Sequence, residues 1–321
     1  MQRPVVVVGS VNLDIVVPVR AIPAPGETVL GSDVQRFDGG KGANQAVGVA
    51  RLGYPVRLIA RVGDDEAGRA LRQALDHRGV DVRAVAATRG VPTGTALIAT
   101  DARGENSIIV SPGANAHLRP ADIARRAALL RSAALVMLQL EVPLETVECA
   151  ITLAHRAGVP VMLDPAPAPA HPLPASLLRR VAWLTPNETE AARLVRTVHA
   201  PGAPMRRARA SELAQRLRRR GAASVIVTLG RQGACIAHAG AGAGRGHRIS
   251  WVPPVPVRAL DSTGAGDAFN AGLAVALVRG QPLLEAARYA AAVAALSATR
   301  PGAQPSMPTA REVTRFLRAP R

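Results

Sequence analysis

Short apolar runs rich in valine alternate along this 321-residue chain with longer stretches whose apolar positions return every three or four residues. The runs Val5–Gly9, Val56–Ala60, Ala134–Leu138, Val159–Asp164, Val181–Leu184 and Ser224–Leu229 predict buried strands. Helical periodicity falls at about 42–53, 65–78, 120–131, 144–157, 209–220, 265–279 and 282–298. Strand–helix alternation of this kind predicts an α/β fold, with a mostly parallel sheet covered by helices on both faces. Two places break the rhythm. Leu13–Val19 and Glu27–Phe37 read as strands with no helix between them, and Gly94–Thr100 with Asn106–Val110 reads as a hairpin around Asp101-Ala102-Arg103-Gly104. These four predict a small sheet outside the main one. Residues 196–207 and 239–247 read as exposed loop and turn.

Composition narrows the class. A chain of this length buries a large core as one α/β domain, 1–321. Aromatic residues make up 2%, so valine, leucine, isoleucine and alanine must fill the interior. Cys149 and Cys235 lie far apart without metal-ligand spacing, which predicts reduced thiols and a cytoplasmic setting. Val5–Val8 is too short for the apolar core of a signal peptide, and no run is long enough for a membrane span, so no membrane partner is expected. The formal charge of +17 permits attraction to polyanions. Its one dense patch, Arg206, Arg207, Arg209, Arg216, Arg218, Arg219 and Arg220, has no interleaved aromatic residues to stack bases. A solvated arginine face and no specific nucleic-acid partner are expected.

Candidate chemistry concentrates in two glycine-rich segments. Asp261-Ser262-Thr263-Gly264-Ala265-Gly266-Asp267-Ala268-Phe269 combines a small-residue turn with a helix start. Free N–H groups at such a helix N-terminus favour an anion. The backbone N–H groups of Gly264, Ala265 and Gly266 therefore form a candidate anion hole, and Asp267 is placed to take a proton beside a phosphate. Read structurally, the same run is a strand-to-helix turn with an ordinary first-turn carboxylate. Phe37-Asp38-Gly39-Gly40-Lys41-Gly42-Ala43-Asn44-Gln45-Ala46 holds the chain's only lysine, against 39 arginines. A compact ammonium is what a site wants where a planar guanidinium does not fit. Gly40-Lys41-Gly42 lacks the hydroxyl of a P-loop, which excludes that reading. Asn12 and Asp14, two apart in an extended run, share one side.

With these two runs the chain resembles the ribokinase-type (PfkB) sugar kinases. Further matches are Gly9-Ser10-Val11-Asn12-Leu13-Asp14, Pro25-Gly26-Glu27-Thr28, Gly63-Asp64-Asp65, Asp164-Pro165-Ala166-Pro167, Thr185-Pro186-Asn187-Glu188-Thr189-Glu190, Thr228-Leu229-Gly230 and Thr299-Arg300-Pro301-Gly302-Ala303-Gln304-Pro305-Ser306. The resemblance implies a three-layer α/β/α kinase domain with a small β-sheet lid at about 13–37 and 94–110. That lid covers the sugar and is often a dimer contact, so a homodimer is implied. The implied reaction is ATP- and Mg²⁺-dependent phosphorylation of the 5-hydroxyl of D-ribose, with deoxyribose, another sugar, a keto-deoxy acid or a nucleoside as alternative acceptors. A rival of another class is an arginine-rich nucleic-acid-binding protein on a vestigial kinase fold.

The resemblance also assigns roles. Asp267 is the catalytic base, and Asn12, Asp14, Gly40, Lys41, Asn44 and Glu141 contact the sugar. Asn187, Thr228, Gly230 and Gly233 contact ATP together with Gly264, Ala265 and Gly266, and Glu190 organises Mg²⁺ through water. A K⁺ site takes the Asp261 carboxylate, the Ser306 hydroxyl and carbonyls of Thr263, Ser297, Arg300 and Gly302. Two positions depart from the family pattern: Ala291, where relatives place Asn near adenine, and Asp164, where close relatives place Asn.

Overall fold

The computed structural model describes residues 2–101, 106–200, 203–239 and 247–318. Its strands in chain order are β1 (Val5–Val8), β2 (Asn12–Pro18), β3 (Gln35–Gly39), β4 (Val56–Gly63), β5 (Val85–Thr88), β6 (Gly94–Thr100), β7 (Asn106–Ser111), β8 (Leu135–Leu138), β9 (Val161–Leu163), β10 (Trp183–Leu184), β11 (Ser224–Thr228), β12 (Ala234–Ala239) and β13 (His247–Val252). β1 is buried at every residue because it lies mid-sheet, paired in parallel with β4 on one side and β8 on the other. The large sheet runs β13-β12-β11-β10-β9-β8-β1-β4-β5, parallel from β11 to β5, with β12 and β13 antiparallel at one edge.

Strand alternation divides the core into two layers. Val5 and Val7 pack with the helices Lys41–Arg51, Ala265–Val278 and Leu283–Ser297, while Val6 and Val8 pack with Leu144–Arg156 and Arg207–Arg219. Each fully buried valine contributes roughly 1.5 kcal/mol or more through removal of apolar surface from water. Helices on both faces of a mostly parallel sheet make the three-layer α/β/α arrangement expected from the alternation. A separate four-stranded sheet runs β3-β2-β6-β7. It is joined to the large sheet where β1 passes through Gly9, Ser10 and Val11 into β2.

Several boundaries differ from the sequence expectation. The stretch 120–131 is two short helices, Pro120–Arg125 and Ala127–Arg131, because Arg126 leaves helical geometry at φ −109°, ψ 16°. Glu27–Phe37 is a strand only from Gln35. Before that, Leu30 is 95% exposed and the backbone makes one isolated bridge, Val19 to Gly31. The antiparallel pair β12–β13 and the helices Ala175–Leu178 and Ala310–Arg318 were not expected. The turn at 102–104 in the expected hairpin, most of 239–247, and 201–202 within the loop 196–207 lie outside the described residues. Among the described residues, no helix is long and apolar enough to cross a membrane.

Candidate active site

The strand order reverses at β1. The chain leaves it toward β4 on one side and later adds β8 on the other, which opens a crevice beyond the carboxyl ends of these strands. The segments that emerge there carry the candidate residues. Ser10 follows β1, Glu141 follows β8, Asp164 follows β9, and Asn187 follows β10. The Ser10 hydroxyl donates to Glu141 Oε2, which also accepts the Lys41 backbone N–H at 3.1 Å. Glu141 thereby ties the end of β8 to the start of the helix Lys41–Arg51.

That helix begins abruptly. Gly40 caps it at φ 89°, and a Cβ there would lie 2.7 Å from Asn12 N and 2.8 Å from Val11 Cα, so only glycine brings this loop against β2. Asn12 pairs with both Gly39 of β3 and Gly94 of β6, forming the base row of the small sheet. Its Oδ1 accepts from Asn115 Nδ2 at 2.7 Å. Asn115 also exchanges hydrogen bonds with the Val11 backbone, accepting from its N–H at 2.9 Å and donating to its carbonyl at 3.2 Å. Asp14, two residues along β2, lies against Gly39. Burial and the nearby carboxylates of Glu141, Asp267 and Asp38 push its carboxyl up to about 7. Burial alone would lower the Lys41 ammonium, but the carboxylates of Asp267, Asp164, Glu141 and Glu190 outweigh it and hold the lysine firmly charged.

Asp267 sits in the first turn of the helix Ala265–Val278 and is 4% exposed. Asn44 Nδ2 donates to its Oδ2 at 3.0 Å and Gln45 Nε2 to its Oδ1 at 3.1 Å, so each carboxylate oxygen has one amide donor and keeps further acceptor capacity. The turn before it depends on Gly264, left-handed at φ 72°, where a Cβ would approach Ala303 Cα to 2.9 Å. Ala265 N–H is occupied by the Ser262 carbonyl at 3.1 Å. Among the described residues no acceptor pairs with the N–H groups of Gly264 and Gly266, so two of the three expected donors remain open to an anion. The Asn44 Oδ1 is buried without a partner.

The expected nucleotide and cation residues occupy the neighbouring loops. Asn187 caps the helix Glu188–Leu194 in a reciprocal box: its Oδ1 accepts from Glu190 N at 2.9 Å and its N–H donates to Glu190 Oε2 at 2.8 Å. Burial raises the Glu190 carboxyl, with the Asn187 hydrogen bond and Lys41 opposing. Thr228 ends β11 and bridges to Asn187, and Gly230 and Gly233 flank the short turn that follows. Asp261 grips two loops at once, accepting from Thr263 N at 2.8 Å and Gly302 N at 2.7 Å. Burial would raise its carboxyl, but these bonds prevail and lower it. Ser306 and Ser297 are buried close by in sequence, their hydroxyls bonded to Ala303 O and Ala294 O, and the Ser297 carbonyl accepts Arg300 N. Ala291 is half-buried on the helix Leu283–Ser297.

Sequence reasoning missed three buried amides that organise this site: Gln45, Gln139 and Asn115. A fourth group is Arg78, which donates to Asp38 Oδ2 at 2.6 Å and Gln304 Oε1 at 2.9 Å and so joins β3 to the 300–306 loop. Gln45 had one visible signal, its place next to Asn44 in the lysine loop. Chemically, the crevice offers the buried Asp267 carboxylate, with Asp164 behind it, facing a row of short polar groups, a lone ammonium, and helix N–H groups for an anion.

Comparison with known proteins finds relatives across the length of the chain. Residues 2–310 match the family model described as pfkB family carbohydrate kinase. The chain is similar to a ribokinase of Haemophilus influenzae, 37% identical over 99% of both chains, and to one of Bacillus subtilis, 38% identical over 98% of this chain and all of the relative. The solved structure of Arabidopsis thaliana ribokinase complexed with ribose and ATP superposes with a TM-score of 0.88 at 34% identity, covering all of both chains.

Proposed function

The chain belongs to the pfkB family of carbohydrate kinases, and we propose that it is a ribokinase, transferring the γ-phosphate of ATP to the 5-hydroxyl of D-ribose to give D-ribose 5-phosphate. The observation that carries this reading is the position of Asp267. It is a buried carboxylate oriented by two amides, one turn from open helix N–H groups and beside the Asn12, Asp14, Lys41 and Glu141 cluster.

Asp267 accepts the hydroxyl proton as the sugar oxygen forms its bond to the γ-phosphorus and the bond to ADP breaks. The Gly264 and Gly266 N–H groups stabilise charge on the transferring group. Asn12 Nδ2, the Lys41 ammonium and the Asn44 Oδ1, which lacks a protein partner, supply complementary donors and acceptors for vicinal hydroxyls. Kinases of this family use ATP with Mg²⁺. A carboxylate such as Glu190, with one oxygen left by its capping bond, fits a hard cation held mainly through water and phosphate, which would neutralise charge on the β- and γ-phosphates.

The low-lying Asp261 carboxyl and the carbonyl-rich 297–306 loop support a monovalent cation site beside the anion hole, with Thr263, Ser297, Arg300, Gly302 and Ser306 as further ligands. Potassium is then expected to raise turnover more than sodium, and equal rates after removal of all monovalent cations would dismiss the site. The small sheet serves as a lid over the sugar and as a homodimer contact. Leu97 and Ile109, paired across β6 and β7 on the face opposite Asp14, are exposed apolar side chains that a second copy would cover. Free Cys149 and Cys235 are consistent with a cytoplasmic setting.

The test is turnover of the purified protein with ATP on D-ribose, 2-deoxyribose, other furanoses, keto-deoxy acids and nucleosides. Ribose is expected to give the highest kcat/KM. A higher value on any other acceptor would replace the substrate, and no turnover on any of them would remove the kinase reading.

A further inference from the structure

Asp267 is the end of a buried amide chain. Gln45 Nε2 donates both to Asp267 Oδ1 at 3.1 Å and to Asp164 Oδ2 at 3.0 Å, while Gln45 Oε1 accepts from Gln139 Nε2 at 2.6 Å. All four side chains belong to the interior: Gln139 is 0%, Gln45 1%, Asp267 4% and Asp164 5% exposed. An amide nitrogen carries two protons, and here each carboxylate takes one. Reversing the Gln45 amide would set its oxygen against the acceptor oxygens of Asp267 and Asp164. Gln139 Oε1 has no partner among the described residues, so the two carboxyl groups and not Gln139 fix the orientation, and one of them, Asp164, lies outside the residues that would touch substrate.

Resting on Asp267 as the base, we propose that Asp164 is a positioning residue for phosphoryl transfer: by accepting one Gln45 proton it locks the amide that holds Asp267 Oδ1. Asn44 holds the other oxygen, at Oδ2. A carboxylate gripped at both oxygens cannot turn about its last side-chain bond, and general-base chemistry depends on that fixed presentation. Without Asp164, one Gln45 proton is orphaned in the interior, and the amide gains a reason to rotate toward another acceptor. Burial, reinforced by Glu190, Asp267 and Glu141 and opposed by Lys41, holds the Asp164 carboxyl well above the usual range. The requirement at this position is an acceptor of the right reach, which asparagine also provides.

The experiment is a mutant cycle read as kcat and sugar KM on the best acceptor. Asp164→Ala should lower kcat roughly 10- to 100-fold, the scale of a misplaced catalytic group, with much less change in KM. Asp164→Asn should recover most of that loss. Gln45→Ala should fall as far as Asp164→Ala, and the double variant should be no worse than Gln45→Ala, within about twofold, because both act through one contact. Gln45→Glu, which swaps the donor for a third carboxylate, should fall furthest. Multiplying losses in the double variant, an Asp164→Asn as poor as Asp164→Ala, or wild-type kcat in Asp164→Ala or Gln45→Glu would each overturn the proposal. A second readout needs no turnover. The two Gln45 side-chain amide protons should show hydrogen-bonded shifts in ¹⁵N-edited spectra of the wild type and Asp164→Asn, and one should lose its shift in Asp164→Ala. Unchanged Gln45 signals in Asp164→Ala would overturn the positioning role, whereas a wild type that turns over no sugar would instead overturn the ribokinase reading.

Discussion

Around Lys41, the carboxylates of Asp14, Glu141, Asp164, Glu190 and Asp267 converge at the mouth of the parallel strands. Along the helix Arg207–Arg219, guanidinium groups crowd the outer surface. Asp164 and Asp267 are buried among amides with Asp14, Glu141 and Glu190 half-buried around them, and desolvation moves the protonation equilibria: Asp14, Asp164 and Glu190 are all raised. The arginines instead bond back to the fold. Arg216 donates to Val195 O at 3.3 Å, and Arg220 donates to Leu194 O at 2.6 Å and Leu173 O at 2.8 Å, satisfying carbonyls at helix and loop ends. A formal charge of +17 therefore describes the surface and conceals an acidic interior. Charge acts chemically where water is excluded, and at the surface it is largely screened.

The comparison breaks most visibly if the acidic centre is dispensable. Asp267→Asn should cost roughly 10²- to 10⁴-fold in kcat, the usual loss of a general base. Its amide nitrogen would also face a donor from Asn44 or Gln45, so a modest drop in melting temperature is expected as well. ATP binding, measured by calorimetry, should survive. Near-normal turnover of a folded variant would remove Asp267 from the mechanism.

Next in size is the single cation. Lys41→Arg keeps the charge but replaces a compact ammonium with a planar fork. Sugar KM is expected to rise roughly tenfold, equivalent to about 1.4 kcal/mol of binding. Unchanged sugar kinetics would make Lys41 a loop residue and leave the carboxylates without a functional counter-charge.

A smaller effect comes from Asp14. Its folded value of about 7 lies above its ordinary 3.8, so the folded protein holds this proton more tightly than the unfolded chain. The resulting stability is present at low pH and is lost as pH rises through about 7. Sugar binding runs the other way, because a hydroxyl donates best to the ionised form. Ribose KM should fall as pH rises through about 7 while the melting temperature of the sugar-free protein declines, and Asp14→Asn should flatten both. A KM step that persists in Asp14→Asn would assign the titration elsewhere.

The sequence made one side of the comparison more legible than the other. Alternating apolar runs located the central strands because parallel strands buried on both faces are continuous in valine and leucine, as β1 and β8 are. β12 and β13 escaped for different reasons: β12 is buried at Ala234–Ala237 but short and alanine-rich, and the edge strand β13 carries arginine and serine, which weaken the apolar pattern. At the site, Gly40, Lys41, Gly264 and Asp267 were readable from local motifs. Gln139 and Asn115 lie outside any local motif, and Gln45 and Asp164, though within recognised motifs, act through contacts between segments far apart in the chain, which no local pattern encodes. The Asn187–Glu190 pair, which the resemblance assigns to ATP and Mg²⁺, is by its geometry a helix cap whatever else it does.

The smallest effect on turnover should come from the basic side. Arg206 and Arg207 are exposed; Arg207 rests over the Trp251 ring at 4.9 Å, and Arg209 pairs with Glu212 at 2.8 Å across one helical turn. The cation–π contact contributes about 0.5 to 1 kcal/mol at an exposed position, so replacing all three with glutamine should barely lower the melting temperature. None of the three contacts a residue of the acidic crevice, and ribose kinetics should stay unchanged. Binding to duplex DNA at low salt should weaken in this variant. In the unaltered protein that binding should already fall steeply as salt approaches physiological strength, because it arises from counterion release and not from base contacts. Several oligonucleotides titrated near physiological salt, beside the sugar assay, decide between the regions. Tight, sequence-selective binding without sugar turnover would move the function from the buried carboxylates to the arginine face, whereas weak and sequence-indifferent binding with intact turnover leaves the arginines as the fold's outer coat.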